Sequence, residues 1–164
     1  MTRYLLRFDE INRLIGEFEG DYEELASLLY EEMKNAYISA YGDGYDDMLI
    51  EQLIMMSYDG KDVFDLLEEA FIDNDWVRVE TIFSNEYHRM YNAGAYDYGK
   101  EHYKTKTWVT MGDDKVRDTH SYLEGITVPV DAEFITYDGD SADYPGGFSN
   151  ASNNVNCRCV LEYK

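Results

Sequence analysis

Three side chains in the C-terminal part of the sequence could together bind a metal ion. Cys157 and Cys159 are separated by one residue, so on an extended strand their thiols point to one side and Arg158 to the other. Two thiolates, His120 and a fourth ligand would supply the donors of a tetrahedral zinc site. Paired zinc-binding cysteines are usually separated by roughly two to four residues. We therefore favour small, buried, reduced cysteines over a metal site, and predict no cofactor.

A second group of polar residues lies just upstream of these cysteines. Asp114, Arg117, Asp118 and His120 could form an acid–base cluster, since Arg117 and His120 are three residues apart and share one face of a predicted helix. The alternative is a structural network, in which an aspartate caps the helix, Arg117 pairs with carboxylates or loop carbonyls, and His120 holds the cysteine-bearing strand. We prefer the network, because the sequence has no serine or cysteine hydrolase motif and no phosphate-binding glycine loop before a helix.

Aromatic and basic side chains near the middle of the chain raise the question of nucleic-acid binding. Tyrosines could stack on bases, but few cations lie between them, so packing against one another is the favoured interpretation. The net charge of −20 also opposes binding to phosphates, which leaves weak DNA contact through one basic patch. The tyrosines are residues 87, 91, 96, 98 and 103, and the patch is Lys100, Lys104, Lys106, Lys115 and Arg117.

The C-terminal half must position these side chains on short elements. We expect Asp113 or Asp114 to cap the short helix, Gly125 to end it, and Trp108 to anchor a small antiparallel or mixed sheet. Residues 138–150 are polar and glycine-rich and are predicted to be a loop. The predicted elements are strands over residues 106–111, 126–130, 134–137 and 157–163, of which 126–130 lies at an edge, and a helix over residues 116–123.

A long helix is predicted over residues 75–103, capped by Asn74 or Asp75. Gly94 weakens it by about 1 kcal/mol relative to alanine, but would let another element approach closely. His88 and His102 on this helix are interpreted as hydrogen-bonded side chains rather than ligands. Its apolar face is formed by Trp76, Val79, Phe83, Tyr87, Met90 and Tyr91.

Residues 1–75 are predicted to form a helical bundle or array. Apolar residues recur at three- and four-residue steps in four segments, separated by Gly20, by the turn at residues 42–44 and by Asp59-Gly60. Asp21 is expected to cap the second helix. The four apolar stripes are Leu5, Phe8, Ile11, Leu14, Ile15 and Phe18; Leu25, Leu28, Leu29, Met33 and Tyr37; Met48, Leu49, Leu53 and Met56; and Val63, Phe64, Leu67, Ala70 and Phe71.

The predicted fold class is therefore α+β, with an acidic helical region (1–75) and a second unit (76–164) made of the long helix and a small sheet. The first 75 residues hold 20 acidic and 5 basic residues, a composition that favours solubility or a basic protein partner. No run of 18 apolar residues and no apolar signal core is present, so we expect neither a membrane partner nor export, and reduced cysteines.

The order of motifs in the second half resembles one known family. The residues are the Trp108 strand, the acidic turn with Asp114, Arg117 with His120, Leu123-x-Gly125, a Pro/Gly-rich loop, and the closing Asn156-Cys157-Arg158-Cys159. This series is similar to the C-terminal domain of phage Mu F-like minor head (head morphogenesis) proteins. The similarity extends back to Thr81, Glu86, Asn92 and Gly94, and leaves the first 75 residues uncovered.

The resemblance implies a structural protein rather than an enzyme. A protein of this family would be present in few copies near the portal, and would aid head assembly, DNA packaging or delivery by binding portal, scaffold or major coat protein. It would be found in the host cytoplasm during assembly and then in the virion head. The motif residues, Glu86 and Trp108 among them, are expected to be structural.

The resemblance also leaves an enzymatic alternative. The family's fold is similar to that of ADP-ribosyltransferases, and related domains occur in polymorphic toxins. Arg117, His120, Tyr122 and Glu124 would then be the suggestive residues. Their order does not reproduce a transferase signature, because no Ser-Thr-Ser segment and no Glu-x-Glu pair follows.

Overall fold

The computed structural model describes the backbone of residues 2–58 and 61–164 and the side chains of residues 9–56 and 61–164. The side chains of Leu5 and Phe8 and the predicted break at Asp59-Gly60 lie outside the described residues. The helices are α1 (Thr2–Gly16), α2 (Tyr22–Tyr41), α3 (Asp47–Ile54), α4 (Val63–Ile72), α5 (Trp76–His102), α6 (Asp118–Ser121) and α7 (Ala151–Asn154). The strands are β1 (Ser57–Tyr58), β2 (Lys61–Asp62), β3 (Thr105–Val109), β4 (Thr127–Pro129), β5 (Phe134–Ile135), β6 (Ser141–Ala142) and β7 (Val160–Tyr163). The predicted α+β class is confirmed.

Aspartates occupy the N-cap positions of helices α2 to α5. Asp21 accepts a hydrogen bond from the Glu24 amide, and the Glu24 carboxylate accepts one from the Asp21 amide, so α2 starts with a complete capping box. Asp62 begins α4 in the same way with Asp65. Asp75 accepts from the Arg78 amide at the start of α5, as predicted.

Helix α5 forms the centre of the larger core. Its buried residues Val79, Phe83 and Met90 pack with buried residues of α1, α2, α3 and α4. Gly94 lies against the backbone of Tyr37 in α2, which is the close approach that the sequence predicted. The proposed boundary at residue 75 therefore falls between two helices that share one core, and its role as a domain boundary remains a prediction.

Helix α3 buries a different face from the one predicted. Ile50 and Ile54 are fully buried, whereas Met48 and Met56 are exposed and Leu49 and Leu53 are only partly buried. In a helix of eight residues, two apolar faces offset by one position fit the spacing equally well. Contacts with the neighbouring helices decide which face packs.

The C-terminal half contains a three-stranded antiparallel sheet with the strand order β4-β3-β7. The β4 strand lies at an edge, as predicted. Trp108 on the central strand is fully buried and packs with Leu123, Phe134, Phe148 and the two cysteines in a second, smaller core. No helix among the described residues is both long enough and apolar enough to cross a membrane.

Two predictions for this half were wrong. The helix expected over residues 116–123 spans only Asp118–Ser121, and neither Asp113 nor Asp114 caps it, because Arg117 occupies the N-cap position without a side-chain bond. The loop expected over 138–150 contains β6, which pairs with β5, and the helix α7 follows it. Both segments are too short to show periodicity in the sequence.

Candidate functional site

Short elements on either side of the central strand bring His120, Cys157 and Cys159 together. His120 is the third residue of α6, and the two cysteines come just before β7 rather than within it. Gly125, with φ +73°, turns the chain after α6, and its amide donates to the Trp108 carbonyl in β3. Since β7 pairs with the same strand, α6 and the cysteine-bearing segment meet beside Trp108.

The three side chains form a compact buried cluster, here called the His-Cys-Cys cluster. The His120 Nδ1 atom lies 3.6 Å from the Cys157 Sγ atom and 3.4 Å from the Cys159 Sγ atom. All three side chains are at least 95% buried, and their potential ligand atoms lie within 4.8 Å of one another. No other group of three such residues was found within the described part of the chain.

Aromatic rings fix the orientation of the imidazole. The His120 ring stacks on Phe148 at a centroid distance of 5.5 Å and meets the edge of Trp108 at 5.3 Å. Asn154 holds Phe148 in place, since it accepts from the Phe148 amide and donates to the Phe148 carbonyl. The His120 Nε2 atom is buried and has no hydrogen-bond partner among the described residues, so only Nδ1 has polar neighbours.

The two thiols differ in acidity. A hydrogen bond with Cys159, together with the charges of Arg117 and Arg158, lowers the pKa of Cys157 despite its burial. The hydrogen bond with Cys157 and burial raise the pKa of Cys159.

Two arginines attach the surrounding segments to one another. The Arg117 guanidinium donates to the backbone carbonyls of Ser152 and Val155, so it ties the start of α6 to α7. Arg158 binds both carboxylate oxygens of Asp113, at 2.8 and 2.7 Å. This ion pair lowers the pKa of Asp113.

A small cavity adjoins the cluster. Its volume is about 10 Å³, close to the roughly 10–15 Å³ that one water-sized body needs. All three cluster side chains line it, together with Lys115, Arg117 and Arg158. Basic residues and the two cysteines therefore lie around the same cavity.

The acid–base cluster considered from the sequence is not assembled. Asp114 and Asp118 are exposed, whereas His120 points into the core. Arg117 lies outside the helix and contacts carbonyl oxygens, so it does not share a helical face with His120. The structure contains two of the three parts of the structural network. The third part, an aspartate that caps the helix, is missing.

The basic patch is also smaller than the sequence indicated. Lys106 is fully buried, and its Nζ atom donates to the Asp143 carbonyl at 2.8 Å and lies 4.3 Å from the centroid of the Tyr96 ring. Burial lowers its pKa to about 8. The sequence predicts a strand with one exposed face at this position, and a lysine in such a strand gives no indication that its side chain is buried. Of the five predicted cations, Lys106 therefore cannot contact DNA.

The remaining motif residues lie outside the His-Cys-Cys cluster, and some of them attach the adjoining segment to the long helix. Glu86 is buried in α5 and accepts two hydrogen bonds from Arg89, whose Nη1 atom donates to the Leu53 carbonyl. Asn156 adopts φ +56°, and its amide donates to the Asn85 side chain of α5. These contacts attach the segment before Cys157 to the long helix.

Sequence reasoning missed one carboxylate that shapes the loop between β6 and α7. Asp140 accepts hydrogen bonds from the Ser149 hydroxyl at 2.7 Å and from the Asn153 amide group at 2.9 Å. These bonds and two backbone amides outweigh the effect of burial and lower the pKa of Asp140. The available signal was an aspartate followed by Ser and Asn residues that can fold back on it.

Comparison with known proteins identifies the family. The family model for "Phage Mu protein F like protein" matches residues 42–162, from the end of α2 to β7. The chain belongs to the phage Mu protein F-like family. The match begins at residue 42, so the expectation that the first 75 residues lie outside the similarity was wrong for residues 42–75, whereas residues 1–41 lie outside the match. The family associates the chain with phage head morphogenesis.

One curated relative carries an enzymatic name. The NAD(+)--arginine ADP-ribosyltransferase EFV of Enterococcus faecalis is 48% identical over 55 residues, which are 34% of this chain. The chain covers 11% of that protein's length. No solved structure matches the chain.

Proposed function

We propose that this Mu F-like chain is a minor head protein that acts by binding other head proteins near the portal. The observation that carries the proposal is the family match over residues 42–162, which spans α3, α4, the whole of the long helix α5 and nearly all of the C-terminal half. The protein would be located in the host cytoplasm during assembly and then in the virion head. In this proposal the motif residues Glu86, Trp108 and Asn156 hold the fold through their contacts and take no part in catalysis.

Charge suggests which surface makes the contact. Acidic side chains are exposed from the end of α1 to the middle of α2, namely Glu17, Glu19, Asp21, Glu23, Glu24 and Glu31. An acidic surface of this kind speeds association with a basic partner and selects against nucleic acid. We infer that a basic face of portal, scaffold or major coat protein is the partner of this surface.

The test is recovery of tagged protein from induced cells that carry the parent prophage, followed by mass spectrometry. Portal, scaffold or coat protein should be recovered in amounts that fall as salt rises. Recovery of no phage structural protein would contradict the proposal. Removing residues 1–75 is a poor variant, because it would expose the apolar face that α5 presents to α1, α2 and α4.

Charge reversal tests the surface without disturbing that core. In the triple variant Glu17→Lys, Glu19→Lys and Glu23→Lys, all the changed side chains are exposed. The matched control reverses two exposed carboxylates in the C-terminal half, Asp114→Lys and Asp118→Lys. We expect the first variant to lose the phage protein and the second to keep it. Equal recovery would exclude the acidic surface while leaving the minor head role intact.

The second candidate function is a module associated with an ADP-ribosyltransferase toxin, which the 55-residue similarity favours. The residues that suggested transferase chemistry have other contacts here. The Glu124 carboxylate accepts from the Thr110 amide at 2.6 Å, His120 lies in the core, and Tyr122 meets the edge of Tyr137. A shared non-catalytic module therefore fits better than a transferase centre.

Binding of NAD distinguishes these interpretations. A rise in melting temperature at millimolar NAD would support a transferase-like site. We expect no rise for the wild-type chain, and no difference between it and Glu124→Gln in the response to NAD.

A further inference from the structure

We propose that His120, Cys157 and Cys159 bind one zinc ion, with a water molecule from the adjoining cavity as the fourth ligand. Neither the family match nor the minor head role assigns a metal to this chain. The preference for metal-free cysteines came from their one-residue spacing. The folded geometry, which the spacing alone could not supply, points the other way.

The two nitrogen–sulfur distances within the cluster are close to those of a zinc site. Bonds of about 2.3 Å to sulfur and about 2.0–2.1 Å to nitrogen, with a tetrahedral angle, place ligand nitrogen and sulfur roughly 3.6 Å apart. The His120 Nδ1 atom lies 3.6 Å from the Cys157 Sγ atom and 3.4 Å from the Cys159 Sγ atom. An ion can therefore enter between the three atoms with only small movements of the side chains.

The environment favours a cation with two thiolate ligands. Two thiolates and a neutral imidazole balance the charge of Zn²⁺, so the buried site carries no net charge. The two thiol protons leave to solvent as the two sulfur–zinc bonds form. Soft sulfur donors and one imidazole select zinc over magnesium or calcium, which prefer oxygen ligands. Without a metal, the His120 imidazole and the two cysteine thiols would be buried with only one another as polar partners.

The cavity accounts for the fourth position. It holds about one water-sized body and is lined by all three ligands. Zinc sites with three protein ligands commonly complete the tetrahedron with water. Lys115, Arg117 and Arg158 line the same cavity, so the water would lie in a positively charged surrounding.

A metal would also stabilise the second core. The second core contains few buried apolar residues beyond Trp108, Leu123, Phe134 and Phe148. Small cores of this kind usually depend on a disulfide or a structural metal. The ion would join α6 to the segment before β7, since His120 and Cys157 are 37 positions apart in the sequence. Metal binding would then contribute directly to folding.

The first test measures zinc in untagged, chelator-free protein by mass spectrometry of the metal. We expect about one zinc per chain, its loss in Cys157→Ser and Cys159→Ser, and its loss in His120→Gln. The matched control is His102→Gln, because His102 is exposed on α5, where its ring contacts the carbonyl and the ring of Tyr98 and lies outside the cluster. Wild-type protein that is folded, dialysed against zinc and still holds none would overturn the proposal.

Cobalt substitution keeps the test decisive if the variants fail to fold. Wild-type protein loaded with Co²⁺ should show a thiolate-to-cobalt charge-transfer band and the intense visible bands of a tetrahedral site. A chelator should abolish both and lower the melting temperature, and zinc should restore the melting temperature. Cobalt spectra without a thiolate band would overturn the proposal, as would an intact mass two hydrogens lower, which indicates a disulfide between Cys157 and Cys159.

Discussion

Gly94 in α5 and the carbonyl of Tyr37 in α2 are so close that no side chain fits between them. A Cβ atom at position 94 would lie 2.4 Å from the Tyr37 carbonyl oxygen. The contact lies where the two longest helices of the described chain pack together. Close packing therefore explains a glycine inside a helix, where it costs about 1 kcal/mol relative to alanine.

The first prediction follows from this contact. Gly94→Ala should lower the free energy of unfolding by about 1–3 kcal/mol, because backbone atoms cannot move aside as a flexible side chain can. Urea denaturation measures the change. The control is Gly16→Ala at the end of α1, where nothing lies within 4 Å of the added atom and little change is expected. Equal urea midpoints for the two variants would mean that α2 and α5 can move apart without a loss of stability.

The second prediction concerns the buried ion pair of α5. Glu86 and Arg89 are almost fully buried and lie 2.6 Å apart at their closest atoms. Arg89→Gln removes the buried positive charge that binds the Glu86 carboxylate, so we expect a loss of about 3–5 kcal/mol in the free energy of unfolding. The control on the same helix is Arg78→Gln, whose partner Glu69 is exposed. That change should cost less than about 1 kcal/mol.

Features that depend on a few neighbouring residues could be predicted from the sequence. The cap at Asp21, the start of α5 at Trp76 and the burial of Trp108 all follow from local spacing and side-chain type. The close contact at Gly94 could also be expected, since a glycine in a helix suggests an approaching element. Its partner, Tyr37, could not be named.

Features that depend on distant contacts could not be predicted. Strands β5 and β6 contain two residues each and are supported by hydrogen bonds between Thr136 and Asp140, which no periodicity shows. The His-Cys-Cys cluster requires α6 and the segment before β7 to meet across β3. The sequence supplied its residue types, but the distances between His120 and the two thiols come from tertiary packing.

The third prediction is a pH dependence due to His88. Burial, with a smaller effect from the charge of His120, lowers the pKa of His88 from 6.5 to about 3. Below pH 6.5 the unfolded chain gains a proton at His88 that the folded chain does not, so stability is complete above that pH and falls as the pH falls towards 3. The loss can reach about 1.4 kcal/mol per pH unit.

The variant His88→Gln should remove this part of the pH dependence. Unfolding free energies measured between pH 7 and pH 4 should fall less steeply than for the wild type, although the variant itself is less stable at pH 7 because Asn92 loses its ring contact. His102→Gln should keep the wild-type slope, since His102 is exposed. Parallel curves for His88→Gln and the wild type would show that the folded chain protonates His88.

The fourth prediction concerns the opposite end of the pH range. Burial lowers the pKa of Lys106 from 10.5 to about 8, although Asp143 partly opposes the effect. Below pH 8 both states carry the charge, and the folded state bears the full cost of burying it. Between pH 8 and 10.5 the unfolded chain binds more protons at this lysine, so its contribution to stability rises with pH.

In Lys106→Met this rise is absent. The unfolding free energy of the wild type, relative to Lys106→Met, should therefore increase from pH 8 to pH 10 by up to about 1.4 kcal/mol per unit. Lys104→Met is the control, because Lys104 is exposed and should leave the wild-type slope unchanged. A constant difference between wild type and Lys106→Met would mean that the buried amine keeps an ordinary pKa, stabilised by the Asp143 carbonyl and the Tyr96 ring.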